Sequence, residues 1–172
     1  PDSREYSIKD VDMTFPEGKT IAVIGGTGSG KSTLIKLLLD FYPVTDGEIS
    51  FGNENYSSLG GSDIRGSVAC AMQKSMIFEG TIRDNVKIAR EDATDEEVSS
   101  AIEDAQLLDF VKSQKDGLDY FLSQSGANLS GGQKQRVNAR TILKNASVYI
   151  FDDSFSALDL LTEKNLRAAL NR

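Results

Sequence analysis

The 172-residue sequence contains no histidine and one cysteine, and both scarcities restrict its chemistry. Without histidine the chain offers neither an imidazole base nor an imidazole metal ligand. With Cys70 as its only cysteine it forms no internal disulfide, which fits a reducing compartment. The apolar stretch around Cys70 favours a small core residue over a reactive thiol. No apolar run approaches the roughly 20 residues that span a bilayer.

Positive charge is also in short supply. The 19 Lys and Arg residues face 26 Asp and Glu residues, which gives a net charge of −7. Proteins that bind nucleic acids usually need a clustered basic face, so no nucleic-acid partner is predicted. A content of 39% apolar and 26% charged residues is typical of a globular domain with its own core.

A glycine-rich loop lies between a predicted strand and a predicted helix near the N-terminus. The β-branched run at residues 20–24 predicts a buried strand, and the apolar spacing of residues 31–42 predicts a helix that Pro43 and Gly47 would end. Residues 25–32 between them fit G-x-x-x-x-G-K-[ST], a phosphate-binding loop. Its glycines let backbone N–H groups surround phosphate oxygens, and the helix N-terminus adds partial positive charge. The residues predicted to bind ATP here are Gly25, Thr27, Gly28, Ser29, Gly30, Lys31, Ser32 and Thr33.

Two positions in this pattern have specific expected roles. Lys31 should reach the β- and γ-phosphates, and the Ser32 hydroxyl should ligate Mg²⁺. The apolar run at residues 148–151 predicts a strand whose C-terminal edge carries Asp152, where ligands bind in parallel sheets. Asp152 is therefore a second predicted Mg²⁺ ligand.

The middle of the chain has a helical pattern. Residues 48–51 and 68–72 predict short strands, and Thr94 with Glu97 forms a capping-box pattern before an apolar stripe. We expect residues of about 81–145 to form a helical subdomain inserted between strands of a parallel core. The core would then comprise residues 1–80 and 146–172.

The most specific string is Leu-Ser-Gly-Gly-Gln at residues 129–133, which resembles the signature motif of ABC ATPases. Gln73 stands at the position of the family's Q-loop glutamine, and residues 156–159 resemble its D-loop. Residues 77–82 resemble a segment of exporters in which transmembrane and ATPase domains share one chain. The resemblance covers nearly the whole chain. It implies an α/β P-loop NTPase (RecA-like) fold with a parallel-sheet core, an inserted helical subdomain and a small N-terminal antiparallel β part.

The resemblance also implies a mechanism and partners. Ser130 should cap a helix whose N-terminus, opened by two glycines, approaches the γ-phosphate held by a second ATPase domain. The implied assembly is a head-to-tail homo- or heterodimer at the cytoplasmic face of a membrane, with a transmembrane domain on the same parent chain. The family assigns catalytic roles to Lys31, Gln73 and Asp153 and Mg²⁺ ligation to Gln73. It assigns nucleotide contacts to Gln73, Ser130, Gly131, Gly132 and Gln133.

Asp153 departs from the family pattern, which usually has Glu as the general base. The shorter side chain withdraws the carboxylate by about 1 Å, and misplacement of that order can cost about 100-fold in rate. The interpretation we favour is a site with impaired hydrolysis, as in one half of heterodimeric exporters. The alternative is an Asp that still works through an adjusted loop.

Three further departures concern the ends and one helix. The family's switch histidine and its adenine-stacking aromatic have no match, and Tyr6 is too late in the chain to replace the latter. We therefore expect an ABC ATPase domain truncated at both ends. From Arg136 to Arg140 the chain is one residue shorter than the family's run, and Asn138 replaces an apolar residue. A local bulge or a misaligned helix would each explain this shortening.

Three functions compete. The first is the ATP-hydrolysing motor of an exporter, and the second is a regulatory ATP-binding module that rarely hydrolyses. The third, a DNA-repair ABC ATPase, is disfavoured because the 57 positions between Gln73 and Ser130 leave no room for a long coiled coil. A Ras-like GTPase is disfavoured because the guanine-reading Asn/Thr-Lys-x-Asp string is missing.

Overall fold

The computed structural model describes residues 6–137 and 139–170, and the chain divides into two compact units, residues 1–66 and 67–172. Asn138 lies outside the described residues, and so do the side chains of Ala139 and Arg140. The predicted irregularity at these positions therefore stays a prediction. None of the helices formed by these described residues combines the length and the hydropathy that a membrane span requires.

The first unit is built from short elements. In chain order they are α1 (Lys31–Leu38), β1 (Ser50–Phe51), β2 (Glu54–Asn55) and α2 (Gly61–Ser67), which ends at the first residue of the second unit. Strands β1 and β2 pair antiparallel, with Ser50 opposite Asn55 and Phe51 opposite Glu54. This hairpin is the antiparallel β part of the first unit.

Helix α1 ends four residues earlier than its apolar pattern predicted. Asp40, with a φ of 53°, lies in the left-handed region just beyond the helix. Its amide donates to the carbonyl of Leu37 at 3.0 Å, and the next amide donates to the carbonyl of Lys36 at 2.9 Å. These two bonds form a Schellman motif. The predicted end at Pro43 was wrong because this motif closes the helix first.

The predicted strand at residues 20–24 is not a strand in the structure. Ile21 and Val23 are 40% and 43% exposed, and Ile24 is 93% exposed. A strand needs a neighbour to complete its backbone hydrogen bonds, and no described segment of the first unit pairs with this one. The β-branched run indicated an extended preference but could not supply the neighbour.

The second unit contains four strands and six helices within its described residues. They are, in chain order, β3 (Val68–Ala71), β4 (Gly80–Thr81), α3 (Ile82–Lys87), α4 (Asp95–Asp104), α5 (Leu108–Ser113), β5 (Phe121–Leu122), α6 (Gly131–Arg136), α7 (Ala139–Leu143), β6 (Val148–Phe151) and α8 (Leu160–Leu170). Short 3₁₀ turns occupy Gly117–Asp119 and Gln124–Gly126.

A parallel pair of strands anchors the second unit. Strands β3 and β6 run in register from Val68 opposite Val148 to Ala71 opposite Phe151. The structure confirms both predicted strands. Val148 and Tyr149 at the start of β6 are exposed, and Ile150 and Phe151 are partly buried. Helices α3 to α7 all lie in sequence between these two strands. The boundaries at 81 and 145 stay a prediction.

Helices α3 and α4 of this unit each begin with a reciprocal hydrogen-bonded cap closed by a carboxylate. At α4 the Thr94 hydroxyl accepts from the Glu97 amide, and the Glu97 carboxylate accepts from the Thr94 amide at 2.8 Å. The predicted capping box at these residues is confirmed. Thr81 and Asp84 form the same box at α3. The cap amides lower the pKa of both carboxyl groups, because each N–H stabilises the charged form.

The helices enclose an apolar core. Helix α7 packs on α3 and α4, and the apolar stripe of α4 faces inward through Val98, Ala101 and Ile102. Burying such side chains removes apolar surface from water, the main favourable term in folding. The side chains with less than 2% of their surface exposed include Ile82, Val86, Val98, Ile102, Leu107, Leu122 and Val137.

Asn85 is the one fully buried amide side chain among the described residues of this core. Its Oδ1 accepts from the Phe78 amide at 2.9 Å. Its Nδ2 donates to the carbonyls of Phe78 at 2.9 Å and Thr81 at 3.0 Å. Asn85 therefore ties the segment before α3 to the helix by three hydrogen bonds.

We predict that Asn85→Ala lowers the free energy of unfolding by about 2–3 kcal/mol, because it leaves backbone groups of Phe78 and Thr81 without partners. Urea unfolding followed by far-UV circular dichroism would measure the change. Asn165→Ala, at an exposed asparagine on α8, is the control and should change stability by less than about 0.5 kcal/mol. Equal effects of the two substitutions would contradict the prediction.

Candidate nucleotide site and its motifs

The glycine-rich loop of the first unit turns sharply into α1. Gly28 and Gly30 have φ values of 82° and 93°, in the left-handed region that glycine adopts without strain. Gly30 is the N-cap of α1, and no side chain caps the helix there. Ser32 and Thr33 occupy the first helical turn. The loop thus presents the open N-terminal end of an eight-residue helix, which attracts anions.

Lys31 folds back over this loop. Its Nζ donates to the carbonyl oxygen of Gly25 at 2.5 Å and to that of Gly26 at 2.9 Å. The ammonium group is therefore held above the loop backbone by two exchangeable hydrogen bonds. A phosphate group at the loop could accept the same N–H donors, so the donor set fits the predicted ligand.

Gly30 lies close to the preceding segment of the chain, including its backbone. A β-carbon on this residue would lie 3.0 Å from Ile8 Cγ1 and 3.1 Å from the Ser7 carbonyl oxygen. Gly26 and Gly28 have no heavy atom within 4 Å of the corresponding position. The absence of a side chain is thus required at Gly30 both by its φ and by its neighbours.

In the second unit, the C-terminal end of β6 carries the predicted acidic pair. The Asp152 amide donates to the carbonyl of Ala71 at 2.9 Å, which extends the parallel ladder by one bond. The buried hydroxyl of Ser154 donates to the same carbonyl at 2.7 Å. Two backbone-directed bonds therefore fix the turn in which Asp152 and Asp153 lie.

Asp153 and Gln73 meet at this edge. The Gln73 Nε2 donates to Asp153 Oδ2 at 3.1 Å, although the residues are 80 positions apart in sequence. Asp153 has a φ of 49°, a left-handed conformation that costs a residue with a side chain about 1–2 kcal/mol. Such backbone strain is concentrated at functional sites in proteins.

The signature string forms the start of α6. Ser130 is its N-cap, and its hydroxyl accepts from the Gln133 amide at 3.2 Å. The Gln133 Oε1 accepts from the Ser130 amide at 2.8 Å, which completes a capping box. The predicted helix cap at Ser130 is confirmed. Gly131 and Gly132 lie in the first turn, and a β-carbon on Gly132 would come within 3.1 Å of the Ala157 carbonyl oxygen.

The string at residues 156–159 forms the turn between β6 and α8. Asp159 Oδ1 accepts from the amides of Leu161 at 3.1 Å and Thr162 at 3.0 Å. Its Oδ2 accepts from the Thr162 hydroxyl at 2.7 Å. These bonds lower the pKa of the Asp159 carboxyl group, chiefly through the Thr162 hydroxyl. Asp159 therefore remains charged at neutral pH and caps α8.

Cys70 lies on β3, close to the end of the β3–β6 pair that carries Asp152 and Asp153, which we call the acidic edge. Burial, with a smaller contribution from the Asp152 charge, raises the pKa of its thiol to about 11. The thiolate is the nucleophilic form of cysteine, so this side chain is a poor nucleophile at neutral pH. The geometry agrees with the prediction that Cys70 is not a reactive thiol.

The predicted site residues thus fall into two groups. Residues 25–33 lie together in the first unit, whereas Gln73, Asp152, Asp153 and residues 130–133 lie in the second. Gln73 and Asp153 are in contact, but the combined nucleotide and Mg²⁺ site stays a prediction. Sequence reasoning missed Gln135, which bonds to Ser156 and Ala157, because only the fold brings α6 to that turn.

Comparison with known proteins decides the family. The model of the ABC transporter family matches residues 8–156, which is most of the sequence. The chain belongs to the ABC transporter family. The match confirms the predicted P-loop NTPase fold of the ABC ATP-binding domain.

Three relatives of this chain illustrate the family, and the names of two of them include export. A β-(1→2)-glucan export ATP-binding/permease protein of Agrobacterium vitis is 40% identical over 166 residues, or 96% of this chain and 28% of the relative. ATP-binding cassette sub-family B member 6 of Xenopus tropicalis is 40% identical over 95% of this chain and 19% of its own length. A putative multidrug export ATP-binding/permease protein of Staphylococcus aureus is 37% identical over 99% of this chain. The chain spans less than a third of each of these relatives.

A solved structure agrees with this assignment. A bacterial Atm1-family ABC exporter with ATP bound matches 90% of the ABC ATPase chain with a TM-score of 0.87 and 34% identity. The match covers 27% of the exporter chain. The similarity in both sequence and structure supports a common fold with that ATPase domain.

We predict that Gly30→Ala lowers the free energy of unfolding by about 1–3 kcal/mol, because a β-carbon there combines left-handed strain with two close contacts. Gly26→Ala is the matched control, since its added methyl group meets open space and its φ is not in the left-handed region. That variant should be as stable as the wild type or slightly more so. Urea unfolding would compare the two, and a destabilised Gly26→Ala with an unaffected Gly30→Ala would contradict the prediction.

Proposed function

We propose that this domain binds Mg·ATP at residues 25–33 and hydrolyses it to drive transport by an exporter. The observation that carries the proposal is the loop in which Gly28 and Gly30 turn the backbone into α1 while Lys31 lies over the loop carbonyls. The amides of the loop and of the first helical turn would surround the terminal phosphates. Lys31 would exchange its carbonyl partners for phosphate oxygens.

Residues at the acidic edge would complete the site. Ser32, Asp152 and Gln73 would hold Mg²⁺ through oxygen atoms, and the bound ion would neutralise charge on the phosphates. Asp153 would accept a proton from, or orient, the attacking water. Its contact with Gln73 at 3.1 Å supports a shared position for the two side chains around that water.

The second half of the site would come from another ATPase domain. Ser130, Gly131, Gly132 and Gln133 begin a capped helix that suits contact with an anion, and we propose that they face the γ-phosphate bound by a partner domain. The dimer would be head-to-tail, with either an identical or a different chain. Hydrolysis would then open the dimer.

We further propose that the parent protein spans a membrane and that this domain faces the cytoplasm. The names of two relatives, which are ATP-binding/permease proteins, support a transmembrane domain on the same polypeptide. Residues of about 81–145 would form the helical subdomain that carries the signature helix. Within the parent protein, the residues around Asn85 would connect this subdomain to the Gln73 segment, because Asn85 bonds to the backbone of Phe78.

A second candidate is an ATP-binding regulatory half with little hydrolysis of its own. Asp153 favours it, because Asp is one methylene shorter than the Glu usual in the family and its backbone is held at a φ of 49°. In that case the nucleotide would hold the dimer closed while the partner's site performs most of the turnover. Both candidates require the same nucleotide-binding loop.

We predict that Lys31→Ala in the complete protein reduces ATP affinity by at least about 10-fold, because it removes the ammonium group that would pair with the phosphates. Equilibrium binding of a fluorescent ATP analogue would measure the change. Lys36→Ala, in the last turn of the same helix, removes an equal charge away from the loop and should leave affinity within about twofold. Unchanged affinity in Lys31→Ala would overturn the proposed function.

We predict that Asp153→Glu raises the steady-state ATPase rate by about 10-fold or more, because the longer side chain restores about 1 Å of reach toward the water. Asp109→Glu, an exposed position in the first turn of α5, makes the same chemical change elsewhere and should leave the rate unaltered. A rate in Asp153→Glu equal to the wild type would show that the aspartate is already competent. That result would count against the regulatory candidate.

A further inference from the structure

Gln135, two residues after the signature string, bonds to a second motif. Its Oε1 accepts from the Ala157 amide at 3.0 Å. Its Nε2 donates to the Ser156 hydroxyl oxygen at 3.2 Å. Because the Ala157 N–H must face the carbonyl oxygen of the amide, the direction of the glutamine side chain is fixed. Helix α6 is thereby tied to the turn that follows β6 by two bonds from one side chain.

The series of bonds continues to the acidic edge. The Ser156 hydroxyl donates to the Asp153 carbonyl oxygen at 3.0 Å, and the Ser156 amide donates to it at 3.4 Å. The Asp153 carboxylate in turn accepts from Gln73. The donors and acceptors of this series are therefore fixed: Gln135 donates to the Ser156 hydroxyl, and that hydroxyl donates to the backbone carbonyl of Asp153. All four residues belong to the second unit.

Steric contact accompanies these bonds. Gly132 lies against the Ala157 carbonyl oxygen so closely that a β-carbon would approach it to 3.1 Å. Gly131 would place a β-carbon 3.9 Å from the Ala157 side chain. A displacement of α6 toward this turn is therefore resisted by contact, and a displacement away from it is resisted by Gln135.

The link from Gln135 through Ser156 bears on the backbone conformation of Asp153. Its left-handed φ of 49° is unfavourable for a residue with a side chain, so surrounding bonds must hold it. The two bonds from Ser156 to its carbonyl are of this kind. Loss of them would let the residue relax toward a more common conformation and move its carboxylate away from Gln73.

We infer that Gln135 is a positioning residue that links the signature helix to the catalytic carboxylate of Asp153 in the same chain. The inference rests on the proposed function, since it assigns Asp153 to the attacking water. It also extends that function. Helix α6 would contact the partner's nucleotide, and a shift of α6 would move the Asp153 carboxylate of the same chain. Gln135 itself would touch neither nucleotide nor water.

The test is Gln135→Leu in the complete protein, measured in the wild-type and Asp153→Glu backgrounds. Leucine keeps much of the side-chain volume and removes both bonds. We expect kcat for ATP to fall by about 10-fold, the scale of a carboxylate misplaced by less than about 1 Å, with KM within about twofold. Gln114→Leu is the matched control, because Gln114 also makes two side-chain bonds in the second unit, at the end of α5, and its loss should leave kcat unaltered.

Two more variants separate positioning from plain structural support. Ser156→Ala removes the middle of the series, so it should lower kcat as Gln135→Leu does, and the double variant should be no slower than either single one. Gln135→Glu can still accept from the Ala157 amide but cannot donate to Ser156. The Ser156 hydroxyl would then donate to the new carboxylate instead of the Asp153 carbonyl oxygen, so we expect kcat to be as low as in Gln135→Leu although the side-chain shape is kept.

Hydrogen exchange and thermal unfolding provide readouts that do not depend on turnover. The Ala157 amide should exchange faster in Gln135→Leu than in Gln114→Leu, while the unfolding midpoints of the two stay within a few degrees. Should Gln135→Leu fail to fold, Ser156→Ala and Gln135→Glu carry the same test.

The outcomes are distinct. The inference is overturned if kcat in Gln135→Leu matches that of Gln114→Leu, if KM rises as much as kcat falls, or if Gln135→Glu restores full activity. Absence of turnover in the wild type and in Asp153→Glu alike would also overturn it, because nothing would then depend on Asp153. Failure of the proposed function is seen separately, as ATP affinity that does not respond to Lys31→Ala.

Discussion

The parallel ladder between Val68–Ala71 and Val148–Phe151 is the constraint on which the second unit depends. Because parallel strands end at the same edge, this ladder carries Gln73 and Asp153 to within hydrogen-bond distance across 80 positions of sequence. The turn after the second strand then begins with bonds from Asp152 and Ser154 to one carbonyl, that of Ala71. The chemistry proposed for this edge is thus built on backbone pairing, and the helices that separate the strands in sequence enclose their own apolar core.

Local patterns predicted local structure well. The hydroxyl at Thr94 with the acid three residues later, and Ser130 before two glycines, specify caps that need no distant partner, and both caps are present. Glycines at positions 28 and 30 likewise specify a turn through their φ values. The family could be predicted from the strings at residues 25–32 and 129–133, because each string meets a steric or electrostatic requirement of phosphate binding.

Features that depend on distant or competing contacts could not be predicted in the same way. The run at residues 20–24 indicated an extended segment, but a strand also requires a neighbour. The end of α1 was misjudged because an aspartate in the left-handed region replaced the glycine expected of such a cap. The bond between Gln135 and Ser156 could not be predicted from the sequence. A glutamine at this position has many possible partners, and only the packing of α6 on the turn after β6 selects one.

The three capping boxes differ in one chemical respect. Those of α3 and α4 are closed by the carboxylates of Asp84 and Glu97, whose lowered pKa values mean that they stabilise the fold while ionised and lose this contribution as acidification protonates them. The signature helix is closed by the amide of Gln133, which does not titrate. All three caps therefore persist at physiological proton concentrations. In strong acid the starts of α3 and α4 would loosen first, whereas the helix proposed to meet the partner's phosphate would keep its cap for as long as the surrounding fold survives.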